Sequence, residues 1–189
     1  MFQRAIDIII FFFTLPFLLP IILITCITNL FFLGNPIFFI QKRSGFRGKQ
    51  IKVFKFRTMQ YFNQKEKSIS KYGLFLRKTK LDELPQIFNL LKGDLTLIGP
   101  RPLYLEYNKL YSKKHKKRLL LKPGITGWAQ VNEYSGISWN KKFDLDIWYY
   151  YNRSITINFI IILKTIMKIF KSFFKKNQFS KKMSKFKGY

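Results

Sequence analysis

The sequence predicts an α+β fold, mostly helical. An N-terminal membrane helix, re-entrant or spanning, precedes a compact cytoplasmic domain with a small β-hairpin and amphipathic interfacial helices. Three observations predict it. No charged residue occurs from Ile8 to Ile40, a longer run than the ~20 residues a spanning helix needs. Two short strand-like runs flank the turn signals Ser44-Gly45 and Arg47-Gly48. From Gly73 onward, apolar residues return at helical spacing. The chain has 189 residues, so one domain beyond the anchor is expected. The expected division is an anchor over 1–40, a domain over 41–175 and a basic tail over 176–189.

In the anchor, Pro16 and Pro20 stand four residues apart. Each removes a backbone donor and crowds the preceding turn, which favours a bent or broken helix that returns to the same face. A simple span stays open, because proline is tolerated in membrane helices. A cleaved signal peptide is disfavoured: the run is too long and no small-residue cleavage site follows. Arg4 precedes the run and 34 basic residues follow it. Positive charge therefore puts residues 42–189 in the cytoplasm. Arg4 and Asp7, three apart, are expected to pair or snorkel at the interface.

The hairpin is expected from Pro36–Lys42 and Ile51–Thr58, and residues 60–71 as a polar loop. Gly73–Lys78 reads as a short helix. Leu84, Ile87, Phe88 and Leu91 give a helix started by Asp82 or Glu83, with Pro85 in its first turn and Gly93 at its end. Glu106–Leu121 reads as a basic helix, Pro123–Gly127 as a turn region, and Ser138–Tyr151 as a helix. Ile155–Phe174 reads as an interfacial helix with a mixed face around Ile161, Lys164, Thr165 and Lys168. Packing of that helix on the domain is the competing reading.

Composition narrows function. Lys plus Arg total 35 against 9 acidic residues, a net charge of +26, yet 48% of residues are hydrophobic and 22 are Phe. So much apolar content excludes a disordered basic tail, and the two excesses together argue against a plain soluble enzyme. An anionic membrane surface is the favoured partner and nucleic acid the second. The single Cys26 excludes an internal disulfide and a multi-cysteine metal site. The chain is also rich in Ile, Asn and Tyr and holds only two Ala, so part of the Lys excess reflects codon bias. Only eight residues are Arg, and these carry more weight, because Arg offers a planar bidentate fork.

With so few carboxylates, the Asp82-Glu83 pair stands out. At a helix start an ionised carboxylate is stabilised and a phosphate can dock. Such a carboxylate can attack phosphorus, and two neighbours can share Mg²⁺. Ordinary N-capping explains the same dipeptide. Arg101 sits between Pro100 and Pro102, which fixes its presentation. Arg77, Lys55 and Arg57 complete a candidate phosphate cradle. His115, the only His, lies in the basic run Lys113–Arg118 and reads as a solvated helix residue.

Four blocks then resemble one family: Lys55-Phe56-Arg57-Thr58-Met59, Leu81-Asp82-Glu83-Leu84-Pro85-Gln86, Ile98-Gly99-Pro100-Arg101-Pro102 and Lys122-Pro123-Gly124-Ile125-Thr126-Gly127-Trp128-Ala129-Gln130. In this order they look like the bacterial sugar transferases, the monotopic phosphoglycosyl transferases of the small PglC-like type. The resemblance runs from Arg4 to about Lys171. It implies transfer of a sugar-1-phosphate from a UDP-sugar to undecaprenyl phosphate, with UMP leaving, at the cytoplasmic face of the bacterial inner membrane. It also implies Asp82 as nucleophile, with Glu83 catalytic at a Mg²⁺ site that the two carboxylates would form. Arg101 becomes a phosphate ligand, and Arg77, Lys55 and Arg57 anion-binding candidates. Gln130 falls near the donor nucleotide, and Asp146, with Asp144 as second choice, matches the family's later acidic position. The family's Ser-Pro break in the membrane helix is Leu19-Pro20 here. A homodimer or association with downstream glycosyltransferases is expected, and no nucleic acid. The alternative is a membrane-anchored basic nucleic-acid-binding or scaffold protein.

Overall fold

A computed structural model describes residues 2–62, 66–134, 136–174 and 184–188. It is mostly helical with three two-stranded sheets. The chain forms two compact units, Met1–Gln41 with Lys52–Gly93, and Lys42–Ile51 with Asp94–Tyr189.

In the first unit, helix α1 spans Phe2–Leu33 and runs through Pro16 and Pro20 as one α-helix. The helix does not end at either proline. Thr14, Thr25 and Thr28 turn their hydroxyls onto carbonyls one turn back, a contact that itself favours a bend. Residues Arg4–Leu33 are long and apolar enough to cross a membrane, and most of that segment is unburied. Its two ends are fastened to the same unit. At the start, the Arg4 guanidinium donates to the Leu90 carbonyl at 2.5 Å and to the Leu91 carbonyl. Those carbonyls end helix α3 (Gln86–Lys92), so Arg4 serves as a cationic C-cap. Asp7 is buried nearby on the same helix. At the far end, Thr28 meets Tyr72 at 2.8 Å, Asn29 donates to the Arg57 carbonyl at 2.9 Å and Gln60 to the Phe32 carbonyl at 2.9 Å.

Strands β1 (Phe38–Ser44) and β2 (Gln50–Phe56) form the expected hairpin, with a short 3₁₀ turn at Phe46–Gly48. Its base belongs to the first unit and its tip to the second. The loop expected at 60–71 is instead a second hairpin. Strand β3 (Met59–Phe62) pairs antiparallel with β4 (Glu66–Ile69), Met59 opposite Ile69 and Phe62 opposite Glu66. Four-residue strands are too short to carry a pattern that the sequence would mark. Helix α2 (Lys71–Thr79) is capped by Ser70, which accepts from the Gly73 amide at 2.9 Å.

The second unit is built on a small parallel sheet. Strand β5 (Thr96–Ile98) pairs with β6 (Gly124–Thr126), where only a turn was expected. The strands run so close that a Cβ on Gly124 would lie 2.0 Å from the Gly99 amide nitrogen. Short helix α4 (Trp128–Val131) follows, then α5 (Trp139–Asn152) and α6 (Ile155–Phe174), both near their expected bounds. The basic helix expected over 106–121 is two 3₁₀ segments, Leu105–Lys109 and His115–Leu120. Ser112 accepts from the His115 amide at 3.2 Å, diverting the ladder that a continuous helix needs. Tyr107, Tyr111, His115 and Arg118 are all buried. His115 is thus buried against Phe143 and 3.1 Å from Asp144, not solvated.

Helix α6 packs through its mixed face. Ile161 is fully buried with Ile98, Leu121 and Tyr149. Thr165 meets Thr126 at 2.7 Å, and Lys164 and Lys168 reach Asn132 Oδ1 and the Gln130 carbonyl. Its opposite face leaves Phe159, Leu163, Ile166 and Phe170 exposed. In the expected tail, residues 176–183 and 189 lie outside the described residues. The described part is docked: Phe186, 6% exposed, enters a cluster of Tyr107, Tyr111 and Phe143, and Trp139 donates to the Ser184 carbonyl at 2.9 Å.

Candidate active site

The first unit holds the carboxylate pair. Helix α2 ends at Lys80, whose φ of 63° is a left-handed conformation unusual for a residue with a Cβ. That turn reverses the chain into a 3₁₀ segment, Leu81–Glu83. Asp82 therefore sits on a tight turn before α3 and not inside the helix the sequence predicts. Helix α3 has seven residues, so its dipole is a minor influence.

Asp82 is 9% exposed, and its Oδ1 has no hydrogen-bond partner among the described residues. A buried, unsatisfied carboxylate oxygen is costly and rare. Burial first, then the Glu83 charge, pushes the Asp82 carboxyl above the usual carboxylate range. Lys55, Lys80 and Arg77 pull it back. Glu83 is held by the Lys55 ammonium at 2.6 Å. Arg77 is oriented by its Nε, which donates to Thr58 Oγ1 at 2.9 Å. Thr58 in turn is fixed against α2, because a Cβ on Gly73 would lie 2.0 Å from its carbonyl oxygen.

The sequence-predicted residues of this unit separate into two groups. Lys55, Arg77 and Glu83 gather around Asp82. Arg57 does not. Its guanidinium donates to the Leu33 carbonyl and to the Gly34 carbonyl at 2.6 Å, closing the C-terminus of α1. Lys80 belongs to the site and was missed, since nothing in its residue type marks a left-handed turn.

The second unit carries Arg101, Gln130 and Asp146. Arg101 projects from the turn after β5 and is exposed, with its carbonyl facing inward. Arg118 Nη2 donates to that carbonyl at 2.8 Å. The same guanidinium donates through Nε to Asp146 Oδ2 at 2.9 Å and through Nη1 to the Tyr111 hydroxyl at 3.0 Å. Asp146 is only 4% exposed, so it lies behind the Arg101 turn as a support. Burial pushes the Asp146 carboxyl up and Arg118 opposes it. For Arg118, burial works against the charge, but Asp146 and Tyr111 outweigh it and hold the guanidinium above its ordinary range. Asp144 instead pairs with Lys114 and His115 at the surface.

Ser44, Gly45, Pro100, Arg101, Arg118 and Pro123 line a recess in this unit. Arg43 stacks its guanidinium 3.9 Å over Tyr104 beside it. Burial lowers Arg43, with Tyr104 opposing and the Arg101 charge adding to the fall. Two arginines of one charge near one turn make a ready anion contact. Gln130 donates to the Ile125 carbonyl at 3.0 Å, and its Oε1 is buried without a partner. Sequence reasoning missed Arg118 and Arg43, although the scarcity of Arg was the signal for both.

Among the described residues, no cluster of three or more His, Cys, Asp or Glu side chains is present. Mg²⁺ needs no such cluster. It keeps several waters and takes one or two carboxylates plus substrate phosphates. The unpartnered Oδ1 of Asp82 beside Glu83 supplies hard oxygen donors of that kind and fits the ion.

The first unit thus combines a buried carboxylate, three nearby cations and a helix long and apolar enough to cross a membrane. The chain belongs to the bacterial sugar transferase family, whose pattern matches residues 1–172. It is 46% identical over 144 residues to the uncharacterized sugar transferase EpsL of Bacillus subtilis, covering 72% of this chain and 71% of that one. It is 37% identical over 153 residues to the UDP-glucose:undecaprenyl-phosphate glucose-1-phosphate transferase of Xanthomonas campestris, covering 71% of this chain and 32% of the relative. It is 31% identical over 186 residues to the UDP-N-acetylgalactosamine-undecaprenyl-phosphate N-acetylgalactosaminephosphotransferase of Aeromonas hydrophila, covering 90% and 44%. The chain thus spans less than half the length of the two relatives whose activities are named.

Proposed function

We propose that the protein transfers a sugar-1-phosphate from a UDP-sugar to undecaprenyl phosphate at the cytoplasmic face of the bacterial inner membrane. The observation that carries this reading is the buried Asp82, with one unpartnered oxygen, in the field of Lys55, Lys80 and Arg77. The names of the relatives support the substrate classes.

The Asp82 carboxylate attacks the phosphorus that bears the sugar. The bond from that phosphorus to the bridging oxygen breaks, and UMP leaves with the electron pair. A phosphate oxygen of the lipid then attacks the same phosphorus, and the acyl-phosphate bond breaks to restore the carboxylate. One carboxylate serves both displacements. Arg77 beside it binds phosphate oxygens in bidentate fashion, Arg101 of the second unit is a phosphate ligand in its own right, and Lys55 holds Glu83 in place. Arg57 acts as a cap on α1. Asp82 and Glu83 would hold Mg²⁺, which supplies charge neutralisation for the diphosphate. Gln130 faces the donor nucleotide.

The helix supports a re-entrant anchor. Both ends of α1 are fastened to one unit, and the segment between them is apolar and largely unburied. A lipid phosphate then meets Asp82 without leaving the bilayer. The exposed apolar face of α6 gives a second contact with the interface. Homodimers and complexes with downstream glycosyltransferases fit such a membrane enzyme.

The test uses the purified full chain with a panel of UDP-sugars and Mg²⁺, with and without undecaprenyl phosphate. Lipid-dependent UMP release, and a phosphosugar adduct on Asp82 with donor alone, are expected. Full activity in Asp82→Asn overturns the reading.

A further inference from the structure

We propose that Arg118 is a positioning residue for Arg101, fixing the main chain of the Gly99–Leu103 turn so that the Arg101 side chain faces its anion. The inference rests on reading Arg101 as a phosphate ligand.

The turn itself has few means of holding its shape. Pro100 and Pro102 carry no amide hydrogen, so neither can donate. What remains is a set of carbonyls, each taken by a different element. The Pro100 carbonyl accepts from the Gly124 amide at 3.0 Å and the Leu103 carbonyl from the Ser44 amide at 2.8 Å. Between them, the Arg101 carbonyl accepts from Arg118 at 2.8 Å. This link is made by a charged side chain, and charge-assisted bonds are roughly twice as strong as neutral ones.

Arg118 is itself over-determined. It is 4% exposed, and its three donor nitrogens reach three separate places: α5 through Asp146, the stretch between the 3₁₀ segments through Tyr111, and the Arg101 turn. A planar fork with fixed angles transmits the position of two partners to the third. Lysine has one point charge and cannot span all three. With its carbonyl drawn inward by Arg118, Arg101 is left with its side chain toward solvent. Asp146 then has a role distinct from touching substrate: it neutralises Arg118 and sets its plane.

Removing one partner of a buried ion pair strands the other and risks unfolding. Replacing both with apolar residues is often neutral for stability. The test therefore uses the double variant Arg118→Met/Asp146→Leu in the full chain, with Arg118→Lys as a second variant that keeps the charge opposite Asp146. Hydrogen exchange of the Ser44 and Gly124 amides, which donate to the Leu103 and Pro100 carbonyls of the turn, is measured first. Exchange at least about tenfold faster than in wild type, with α5 unchanged, is expected in both variants. Unchanged exchange at these two amides overturns the proposal.

A kinetic cycle then separates positioning from general structure. In wild type, Arg101→Ala lowers kcat/KM for UMP release. In the double variant, adding Arg101→Ala costs less than about threefold more, because the two changes act through one group. A full additive loss overturns the proposal. Unchanged turnover in Arg101→Ala alone overturns the ligand reading, and the exchange result separately decides whether Arg118 holds the turn.

Discussion

Among the buried aspartates, Asp82 in the first unit and Asp146 in the second have opposite surroundings. Asp146 has its charge matched by Arg118 at 2.9 Å, and Arg118 in turn is matched by Tyr111 and a carbonyl. Asp82 is nearly as buried, yet one of its oxygens has no partner among the described residues, and its cations stand around it without a direct bond. Elementary solvation argues that a protein does not bury a charge unpaired without a reason. The paired aspartate is built for support. The unpaired one retains an oxygen free to react or to take a ligand. Sequence alone ranks both as candidate site residues. Only the environment separates them.

Mutation should split the two cleanly. Asp82→Asn is expected to lower UMP release on the order of 10⁴-fold, as loss of a nucleophile does, with the thermal midpoint retained or raised. Asp146→Ala is expected to destabilise the protein by about 3–5 kcal/mol, because Arg118 is left buried and uncompensated. Calorimetry and turnover on the same preparations check both. If Asp82→Asn lost stability and kept activity, the contrast between the two sites would collapse.

The second unit has another support that the first lacks. Phe186 fills an aromatic cluster with Tyr107, Tyr111 and Phe143, and its amide donates to the Tyr107 hydroxyl at 3.1 Å. Phe186→Ala is expected to cost about 3–5 kcal/mol, measured by denaturant unfolding in detergent. A purely basic, solvated tail would tolerate the change within about 0.5 kcal/mol.

Periodicity made much of this legible. Helices α5 and α6, the first hairpin and the Gly93 stop all follow from local chemistry. The Asp82-Glu83 pair was visible because carboxylates are scarce in a chain of this charge. What stayed hidden depends on long-range packing. The 106–121 segment reads as one basic helix because Tyr107, Tyr111, His115 and Arg118 recur at helical spacing, and the Ser112 side chain that takes the His115 amide interrupts it. The β5–β6 pairing joins Thr96 to Gly124 and Ile98 to Thr126 across the intervening 3₁₀ segments, and three-residue strands carry no period. Arg57 looked like a phosphate ligand by its neighbours, and only the fold shows it closing α1. Lys80 needed a backbone angle that no residue type announces.

Acidity sharpens the contrast between the aspartates by a smaller amount. The Asp82 carboxyl is raised by burial and by Glu83. A carboxyl raised in the folded state binds its proton more tightly there. Its contribution to stability is present below the unfolded carboxylate range and is lost as pH rises through the folded value. In chelator-containing buffer, Asp82→Asn is therefore expected to be the more stable protein at pH 7. The gap should close as pH falls toward about 4, where both side chains are neutral. A gap that widens on acidification would mean the Asp82 charge is better satisfied than its surroundings indicate.

The smallest expected effect compares the two helix caps. Ser70 accepts from the Gly73 amide at 2.9 Å to start α2, and Ser138 from the Lys141 amide at 3.3 Å to start α5. Each replaced by Ala should cost about 1 kcal/mol, with Ser70 the larger because its bond is shorter. The activities should diverge further than the stabilities. Helix α2 carries Arg77 and ends at Lys80, so fraying its first turn loosens the cations around Asp82. Helix α5 carries Asp146, two turns from its cap, and none of the cations around Asp82. Ser70→Ala is thus expected to lower kcat/KM severalfold where Ser138→Ala leaves it within about twofold. Equal losses in the two would mean that the cations around Asp82 are not positioned through α2.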